Sequence, residues 1–455
     1  TEMIRAGMNV ARLNLSHGNL HGNREQIGRL PEASRLAGSS IAIMVDTRGI
    51  EIRTGLLPDG PVELQSDARF TLHTDGRDGD AQGVSITYRK LPEEVRAGTP
   101  ILLDDGAIEL EVTGVEDEAI HCRVIHGGRL GDSKSVNLPE TRLSLSAVST
   151  ENSEDVVRER SFAAENDVDY IAASFIQTAD DVNRMREILI EHGVNIPIIA
   201  KIENKAGVEN LKEIVDVANG IMVARGDMGV ELPLADVPAT QKHIIRLTVT
   251  DGKPVITATQ MLASMEHNPK PTRAEASDVA NAILDGTSAV MLSGESAVGK
   301  YPVQAVSTMA TIARRAEASL KEYGYLQRFN PHPSNVITDA VSQAAVDKST
   351  NHKAALIISL TQTGFTSRLI SKYRPDSPIL ALTSSRKVTR KLSMTWGVIP
   401  VHYEGEPSDR ARIAYAIERG RSLGYLKSGD IVISTAGHHQ NAGGTDLIRV
   451  ITVED

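Results

Sequence analysis

Two charged side chains end an otherwise apolar run in the middle of the chain. Residues 196–204 read Ile-Pro-Ile-Ile-Ala-Lys-Ile-Glu-Asn, so Lys201 and Glu203 are two residues apart. Side chains two apart on a strand point to the same face. A second apolar run ends at Asp227, in the segment Val-Ala-Arg-Gly-Asp. Because active sites of parallel α/β folds form at the carboxyl ends of the strands, these charges predict a catalytic site.

The carboxylates of Glu203 and Asp227 could together hold one hard cation. Mg²⁺ commonly takes one or two protein carboxylates and leaves its other positions for substrate oxygens. The Lys201 ammonium beside such a metal could stabilise a developing oxyanion. The backbone around Gly226 allows close approach of a substrate carboxylate. These residues predict metal-assisted chemistry on an anionic substrate.

Other predicted strands also end in polar residues. These polar residues are Arg12, Asn14, Ser16, Asp46, Thr259 and Ser293. Carboxyl ends of parallel strands share one edge, so we expect this set to line one rim together with the charges above. A surface salt bridge is the alternative explanation for any single residue, but it does not explain why so many strands end in this way.

A repeated strand–helix pattern is needed to bring these residues together. Predicted strands lie at about 8–16, 41–46, 168–174, 197–203, 220–225, 254–259 and 288–293, and helical patterns follow them. A closed (β/α)8 TIM barrel has eight such units, and this pattern has seven. Because Thr1 begins inside what reads as a helix, we expect the first barrel strand to be missing from this sequence.

Two other regions interrupt or follow the repeat. Residues 48–145 contain short alternating runs between Gly and Asp turns, which predicts a small inserted β domain. After residue 325, further alternating strands and helices predict a separate C-terminal α/β domain. The predicted fold class is therefore α/β, with barrel segments 1–47 and 146–325, the inserted domain 48–145 and the C-terminal domain 326–455.

The amino-acid composition and net charge argue against several classes of protein. The 455 residues carry a net charge of −10, which argues against nucleic-acid binding. No apolar run approaches the ~20 residues that a membrane-spanning helix needs. The single Cys122 excludes an internal disulfide framework, and a cytoplasmic location is expected. An anionic substrate must therefore meet a local cluster of Lys, Arg or metal.

Longer motifs resemble those of the pyruvate kinase family, in the same order along the chain. They lie at 9–18, 46–55, 103–106, 173–176, 199–204, 220–227, 257–262, 271–275, 278–282 and 291–295. The resemblance is looser in the inserted and C-terminal domains, which it implies to be a small β-barrel lid and a regulatory α/β domain. It implies transfer of the phosphoryl group of phosphoenolpyruvate to ADP, followed by protonation of the enolate to pyruvate, the last step of glycolysis.

The resemblance also implies residue roles. Glu203 and Asp227 match Mg²⁺ ligands, and a second Mg²⁺ would arrive with the nucleotide. Lys201 and Arg12 match the residues that hold and stabilise the transferring phosphoryl group, and Thr259 matches a residue on the proton-delivery path. The complete implied substrate-binding set is Arg12, Lys201, Gly226, Asp227, Thr259 and Ser293.

A monovalent cation and the nucleotide are implied in the same way. The K⁺ site of the family matches Asn14, Ser16, Asp46 and Thr47. Members that do not need K⁺ tend to carry Lys where this chain has Glu51, so we expect K⁺ dependence. The nucleotide contacts match Asn14, Ser16, His17, Arg53 and Lys134. Ser133 and Ser135 stand where the family usually has Lys and Gly.

The C-terminal domain contains a candidate effector loop. Hydroxyls, a glycine and a helix N-terminus suit a phosphate group, and the segment resembles a sugar-phosphate effector loop of the family. Its residues are Thr361, Gln362, Thr363, Gly364 and Thr366, and residues 437–444 resemble the loop that closes over it. An ordinary strand–helix turn is the alternative. The resemblance implies a sugar phosphate or a nucleotide as effector, and it implies a homotetramer.

Two other functions remain as alternatives. A lyase or aldolase acting on a pyruvate enolate could also use a Mg²⁺ ion held by Glu and Asp, but it leaves the inserted domain and the polar strand 12–16 without a role. A catalytically silent regulatory homologue would not need Lys201, Glu203, Asp227 and Thr259 together.

Overall fold

Twenty strands form the sheets of the protein within the part that the structure describes. The computed structural model describes residues 1–16, 20–49, 52–139, 141, 143–144, 159, 161–324, 337–437 and 443–454. The strands are β1 (Val10–Asn14), β2 (Ala42–Asp46), β3 (Val62–Leu64), β4 (Arg69–His73), β5 (Gly83–Ser85), β6 (Pro100–Leu103), β7 (Ile108–Glu116), β8 (Ala119–His126), β9 (Gly128–Leu130), β10 (Val136–Asn137), β11 (Tyr170–Ala173), β12 (Ile198–Ile202), β13 (Gly220–Ala224), β14 (Val255–Ala258), β15 (Ala289–Val290), β16 (Leu356–Leu360), β17 (Ile379–Thr383), β18 (Val398–His402), β19 (Ile431–Ala436) and β20 (Leu447–Thr452).

Helices alternate with these strands in the first and third parts of the chain. They are α1 (Glu2–Ala6), α2 (Leu20–Ala37), α3 (Leu91–Glu94), α4 (Ala179–Glu191), α5 (Lys205–Glu209), α6 (Leu211–Val217), α7 (Arg225–Glu231), α8 (Val237–Thr250), α9 (Arg273–Asp285), α10 (Gly294–Ala297), α11 (Pro302–Glu317), α12 (Leu320–Tyr323), α13 (Ile337–His352), α14 (Phe365–Lys372), α15 (Arg386–Leu392) and α16 (Asp409–Ser422), with a 3-10 turn at Ala263–Glu266. Within the described ranges, no helix is both long and apolar enough to cross a membrane.

A seven-stranded parallel sheet carries the predicted site. Its order is β1-β2-β11-β12-β13-β14-β15, which confirms the predicted α/β barrel architecture. One face packs inward through Met44, Ala172, Ile199 and Met222, and the other face packs against the helices. Because both faces of the central strands β2, β11, β12, β13 and β14 are covered, these strands are mainly apolar, and the charged residues Asp46 and Lys201 lie at or next to their carboxyl ends. Arg12, in the middle of the partly buried β1, is an exception.

Two helices of this sheet begin at capping boxes. The hydroxyl oxygens of Thr178 and Thr272 accept hydrogen bonds from the N–H groups of Asp181 and Glu275, whose carboxylates accept from the cap N–H groups in return. Such caps satisfy N–H groups that have no partner within the helix. The sequence pattern at about 207–218 predicts one helix, which is wrong, because the structure has two, α5 and α6, separated at Asn210.

The inserted region is a β structure, as predicted. Its larger sheet has the order β10-β6-β7-β8-β4-β5, and β3 pairs with β9 in a second, two-stranded sheet. One apolar core unites them, with Phe70, Leu72, Leu103 and Leu110 fully buried. The proposed domain boundaries near 145 and 325 fall outside the described residues and stay predictions.

The C-terminal region forms a separate sheet of order β18-β17-β16-β19-β20, in which only β20 is antiparallel among the described strands. Helix α15, which the sequence reading did not predict, connects this region to the barrel. Arg390 Nε donates to both carboxylate oxygens of Asp169, at 3.1 and 3.0 Å. Tyr170 Oη donates to the carbonyl oxygen of Lys391 at 2.8 Å. The two parts are therefore joined by partly buried polar contacts.

Candidate active site

Lys201 connects three of the barrel strands at their carboxyl ends. Its Nζ lies 3.1 Å from Asp46 Oδ1, 2.9 Å from Glu203 Oε1 and 2.7 Å from the hydroxyl of Ser174. Arg12 completes the group, since its Nε donates to Asp46 Oδ2 at 2.6 Å. We call these five residues the Lys201 cluster. The parallel register brings them together because Asp46, Ser174, Lys201 and Glu203 lie at or next to the carboxyl ends of their strands. Arg12, two residues before the end of β1, contacts Asp46 with its long side chain.

The charges of the cluster stabilise one another. Burial raises the pKa of Asp46, but the Lys201 and Arg12 charges outweigh it and hold the pKa below its ordinary value. Burial lowers the pKa of Lys201, but the Asp46 and Glu203 carboxylates raise it above its ordinary value. Lys201 is therefore a fixed cation at neutral pH. It is suited to stabilising negative charge and not to removing a proton.

Glu203 is held in one orientation by two donors. It is 1% exposed, and its Oε2 accepts the N–H of Phe175 at 2.5 Å. Phe175 has φ of 55°, a left-handed conformation that costs free energy in a residue other than glycine. This conformation turns the Phe175 N–H toward the carboxylate. Each carboxylate oxygen has a second lone pair, so Glu203 can still accept a cation.

Asp227 approaches the same rim from the neighbouring strand. β12 and β13 are parallel neighbours, and Asp227 lies in the first turn of α7, which follows β13 directly. Two carboxylates at adjacent strand ends fit Mg²⁺, which accepts substrate oxygens at its other positions. Over the described ranges, no group of three or more His, Cys, Asp or Glu residues could hold a metal ion. A metal here would depend on these two carboxylates.

Thr259 lies on the other side of Gly226. Its Oγ1 accepts the N–H of Gly226 at 2.7 Å and donates to the carbonyl of Ala258 at 2.7 Å. Thr259 has φ of 64°, which is unfavourable for a β-branched residue. Ser293 follows β15, half-buried, and its N–H donates to Glu295 Oε2 at 2.7 Å. No described hydrogen bond joins Ser293 to the Lys201 cluster.

The sequence reading missed the residue that supports Thr259. Arg225 donates to the carbonyl oxygens of Thr259 and Ala258 at 2.6 and 3.1 Å. Its Nη1 also contacts both carboxylate oxygens of Asp278, at 2.8 and 2.7 Å. The bidentate pair fixes the guanidinium, and the guanidinium in turn fixes the strained loop. In the sequence, the sign that could have identified Arg225 is its place between the apolar residues of β13 and Gly226.

Candidate K⁺ ligands lie together at the ends of β1 and β2. Asn14 and Asp46 are opposite each other in the register, and Asn14 Oδ1 accepts the N–H of Ser16 at 3.0 Å. Thr47 is buried, and its carbonyl oxygen accepts the Ser174 hydroxyl at 2.8 Å. These are oxygen ligands next to a carboxylate, a donor set that suits a hard cation. Glu51 is outside the described residues.

The predicted nucleotide residues divide between the barrel and the inserted domain. Arg53 donates to the carbonyl of Ser133 at 2.7 Å, and Lys134 Nζ lies 2.9 Å from Asp104 Oδ1. No described hydrogen bond joins either side chain to the Lys201 cluster. Asn14 and Ser16 lie on the barrel rim, and His17 falls outside the described residues.

A cavity in the C-terminal domain contains most of the predicted effector residues. The polar residues and glycines that line the cavity are Thr361, Gln362, Thr363, Thr366, Thr383, Ser384, Tyr403, Asp409, Arg412, Gly437, Gly443, Gly444 and Thr445. Gly364 lies beside this set with φ of 79°, and its N–H donates to Thr361 Oγ1 at 2.9 Å. Thr366 Oγ1 is 2.6 Å from Thr445 Oγ1, so the two loops already touch. Residues 438–442 of the second loop are outside the described part.

Comparison with known proteins identifies the family. The family model "Pyruvate kinase, barrel domain" matches residues 1–306, and "Pyruvate kinase, alpha/beta domain" matches residues 339–451. The chain is 43% identical to a pyruvate kinase of Bacillus licheniformis over 458 aligned positions, covering 100% of this chain and 78% of that protein. It is 43% identical to a pyruvate kinase of Clostridium acetobutylicum, covering 100% and 96% of the two chains. The chain therefore belongs to the pyruvate kinase family.

Proposed function

We propose that this protein transfers the phosphoryl group of phosphoenolpyruvate to ADP, which yields ATP and pyruvate. The Lys201 cluster is the observation that carries the proposal. A buried ammonium and a guanidinium lie on one rim with the two carboxylates Asp46 and Glu203. Phosphoryl transfer depends chiefly on positioning and on stabilisation of negative charge, which this arrangement can supply.

Each cation of the cluster has a distinct task in this reaction. Arg12 holds the phosphate of phosphoenolpyruvate, and Lys201 stabilises the phosphoryl group in transit and the enolate oxygen that it leaves. The Gly226 and Asp227 backbone N–H groups bind the substrate carboxylate, for which the Gly226 N–H exchanges its hydrogen bond to Thr259 Oγ1. Ser293 lies at the edge of the same pocket. The transferred group passes to a terminal oxygen of ADP, and the electron pair of the broken P–O bond stays on the enolate.

Glu203 and Asp227 are the residues that hold Mg²⁺ in this proposal. The ion neutralises charge on the phosphoryl and enolate oxygens when bound, and a second Mg²⁺ accompanies the nucleotide. Asn14, Ser16, Asp46 and Thr47 hold K⁺. Asn14, Ser16 and His17 contact the nucleotide from the barrel, and Arg53 and Lys134 contact it from the inserted domain.

Protonation of the enolate completes the reaction. The Thr259 hydroxyl lies at the end of the path along which a proton reaches C3 of the enolate. Its Oγ1 is held between the Gly226 N–H and the Ala258 carbonyl, each at 2.7 Å. A hydroxyl that both accepts and donates can orient a proton carrier without changing its own charge.

The wider setting also belongs to the proposal. We infer a cytoplasmic homotetramer regulated through the C-terminal cavity by a sugar phosphate or a nucleotide. The polar hydroxyls and Arg412 around the cavity support a phosphate-bearing ligand.

One assay separates the proposed reaction from its alternatives. Pyruvate and ATP are measured from phosphoenolpyruvate and ADP, with Mg²⁺, K⁺ and ADP each omitted in turn. The proposal expects pyruvate and ATP in equal amounts and a loss of both without ADP. A lyase or aldolase would cleave or form a carbon–carbon bond without ADP. Absence of pyruvate with all components present would overturn the proposal in favour of a silent homologue.

A further inference from the structure

A hydrogen bond joins the inserted β domain to the barrel near the proposed active site. The Asn137 side-chain nitrogen, on β10, donates to Glu231 Oε1 on α7 at 3.0 Å. Gly106 of the inserted domain also lies next to Val230 of α7. A Cβ atom built on Gly106 would be 3.9 Å from Val230 Cγ1. The last turn of α7 therefore lies against the inserted domain.

The two partners belong to segments with different tasks. Glu231 is one helical turn after Asp227, so the two carboxylates project from the same side of α7. Asn137 follows Lys134 by three residues, and β10 pairs with β6. The hydrogen bond thus connects the segment that carries a nucleotide-binding residue to the helix that carries a metal ligand.

Because the Glu231 carboxyl is buried, its hydrogen bond to Asn137 matters for stability. Burial raises the pKa of the Glu231 carboxyl, and the Asn137 hydrogen bond partly opposes the effect. Among the described residues, burial and the Asn137 side chain are the influences on the Glu231 pKa, and no cation is one of them. A buried carboxylate that loses its donor is costly. Separation of the two domains is one way to return Glu231 to water, so the amide contributes to holding them together.

We propose that Asn137 and Glu231 are positioning residues that place the nucleotide-binding side of the β domain over the metal-bearing helix α7. This inference rests on the proposed function for its kinetic consequence. Neither side chain touches a reacting atom. Phosphoenolpyruvate binds to the barrel alone, through Arg12 and Lys201, whereas ADP needs both domains. Loss of the hydrogen bond is therefore expected to affect ADP more than phosphoenolpyruvate.

Steady-state kinetics of Asn137→Ala tests this selectivity. We expect the KM for ADP to rise about tenfold, as for loss of one hydrogen bond to a charged group, while the KM for phosphoenolpyruvate changes less than the KM for ADP. Asn281→Ala, an exposed asparagine on α9, and Glu63→Gln, an exposed glutamate on β3, are matched controls that should leave both constants unchanged. Equal KM values for ADP in the wild type and Asn137→Ala would overturn the inference.

Exchange of donor and acceptor provides a rescue. Asn137→Asp alone sets two carboxylates against each other and should raise the KM for ADP more than Asn137→Ala does. Adding Glu231→Gln restores a donor–acceptor pair in the opposite direction, and the KM for ADP should return toward the wild-type value. Glu231→Gln alone keeps an acceptor and should have a small effect. Failure of the double variant to recover from Asn137→Asp would contradict a direct contact.

A distance measurement tests the same inference without any activity. Cys122 is 2% exposed and burial raises its pKa to about 12, so spin labels should attach only to introduced cysteines. Labels at the exposed sites Glu118→Cys and Glu209→Cys report the separation of the β domain and the barrel. Asn137→Ala should broaden this separation and shift it to longer distances, and an unchanged distribution would overturn the inference. An inactive wild type would remove the proposed function but leave this measurement valid.

Discussion

Lys201 Nζ lies 2.9 Å from Glu203 Oε1, where Lys201 is near the end of β12 and Glu203 directly follows that strand. Asp46 and Arg12 extend this pair, so the Lys201 cluster contains two cations and two carboxylates. Buried charges persist only when they are paired, because each loses its hydration on burial. Removal of any one member therefore changes both the electrostatic field of the site and the stability of the barrel.

Lys201→Met should abolish activity and lower stability together. We expect pyruvate formation to fall by at least about 10³-fold, because a preorganised cation is lost at the point where negative charge develops. The free energy of unfolding should fall by about 3 kcal/mol, since Asp46 and Glu203 lose their shared partner. A pyruvate assay and urea unfolding measure the two effects. Lys212→Met, at an exposed lysine paired with Asp216, is the control and should change neither; an active Lys201→Met would contradict the assigned role.

The core of this site could be predicted from the sequence because it depends on periodicity. Lys201 and Glu203 share a face through the two-residue period of a strand, and parallel pairing sets Asn14 opposite Asp46. Those arguments need only the strand positions. The predicted strands at 41–46, 197–203 and 254–259 differ from the observed ones by one residue or so at each end.

The supporting contacts could not be predicted in the same way. Ser174 reaches Lys201 across 27 positions of sequence, and Arg225 reaches Asp278 across 53. Nothing in local pattern specifies such pairs. Phe175 and Thr259 adopt left-handed backbone conformations without being glycine, so composition gives no sign of either turn. Helix α7 follows the strand predicted at 220–225 and was not predicted; its first turn contains Gly226, a residue that disfavours helices.

Asp46→Asn should change the pH dependence of the reaction. The Asp46 and Glu203 carboxylates raise the pKa of Lys201 above its ordinary 10.5, so wild-type Lys201 stays charged as pH rises past that value. With one carboxylate neutralised, the pKa of Lys201 falls, and the cation is lost at lower pH. The profile of kcat/KM against pH should then show a decline on the alkaline side that begins earlier than in the wild type. Superimposable alkaline limbs would show that Asp46 does not sustain the Lys201 charge.

Replacement of the Thr259 hydroxyl should slow protonation of the enolate. Thr259→Val keeps the shape but removes the acceptor of the Gly226 N–H, and kcat should fall by about 10- to 100-fold. Thr259→Ser keeps the hydroxyl and should stay close to the wild type. Exchange of the pyruvate methyl protons with solvent deuterium reports the proton step separately from phosphoryl transfer. If exchange in Thr259→Val matches the wild type, the hydroxyl is not on the proton path; Thr250→Val, at an exposed helix position, is the control.

Omission of K⁺ should lower the reaction rate strongly. In the proposed function the oxygens around Asn14 and Asp46 hold the ion, and Glu51 adds no positive charge that could substitute for it. Glu51→Lys should partly restore the rate in the absence of K⁺, because a lysine would provide that charge. Rates are measured with a K⁺ salt and with a tetraalkylammonium salt at equal ionic strength. Equal wild-type rates in the two salts would exclude a functional K⁺ site.

A phosphate-bearing effector should activate the enzyme through the C-terminal cavity, and this activation should depend on Thr366. The Thr366 hydroxyl contacts Thr445 at 2.6 Å, so it connects the two loops that line the cavity. Thr366→Val keeps the side-chain volume but removes that hydrogen bond. Activation is measured with a panel of sugar phosphates and nucleoside monophosphates, and the half-saturating concentration should rise about tenfold or more. The basal rate should stay unchanged, because the cavity is separate from the Lys201 cluster. Thr350→Val, at a helix position outside the cavity, serves as control. If no compound on the panel activates the wild type, the segment 361–366 is an ordinary strand–helix turn.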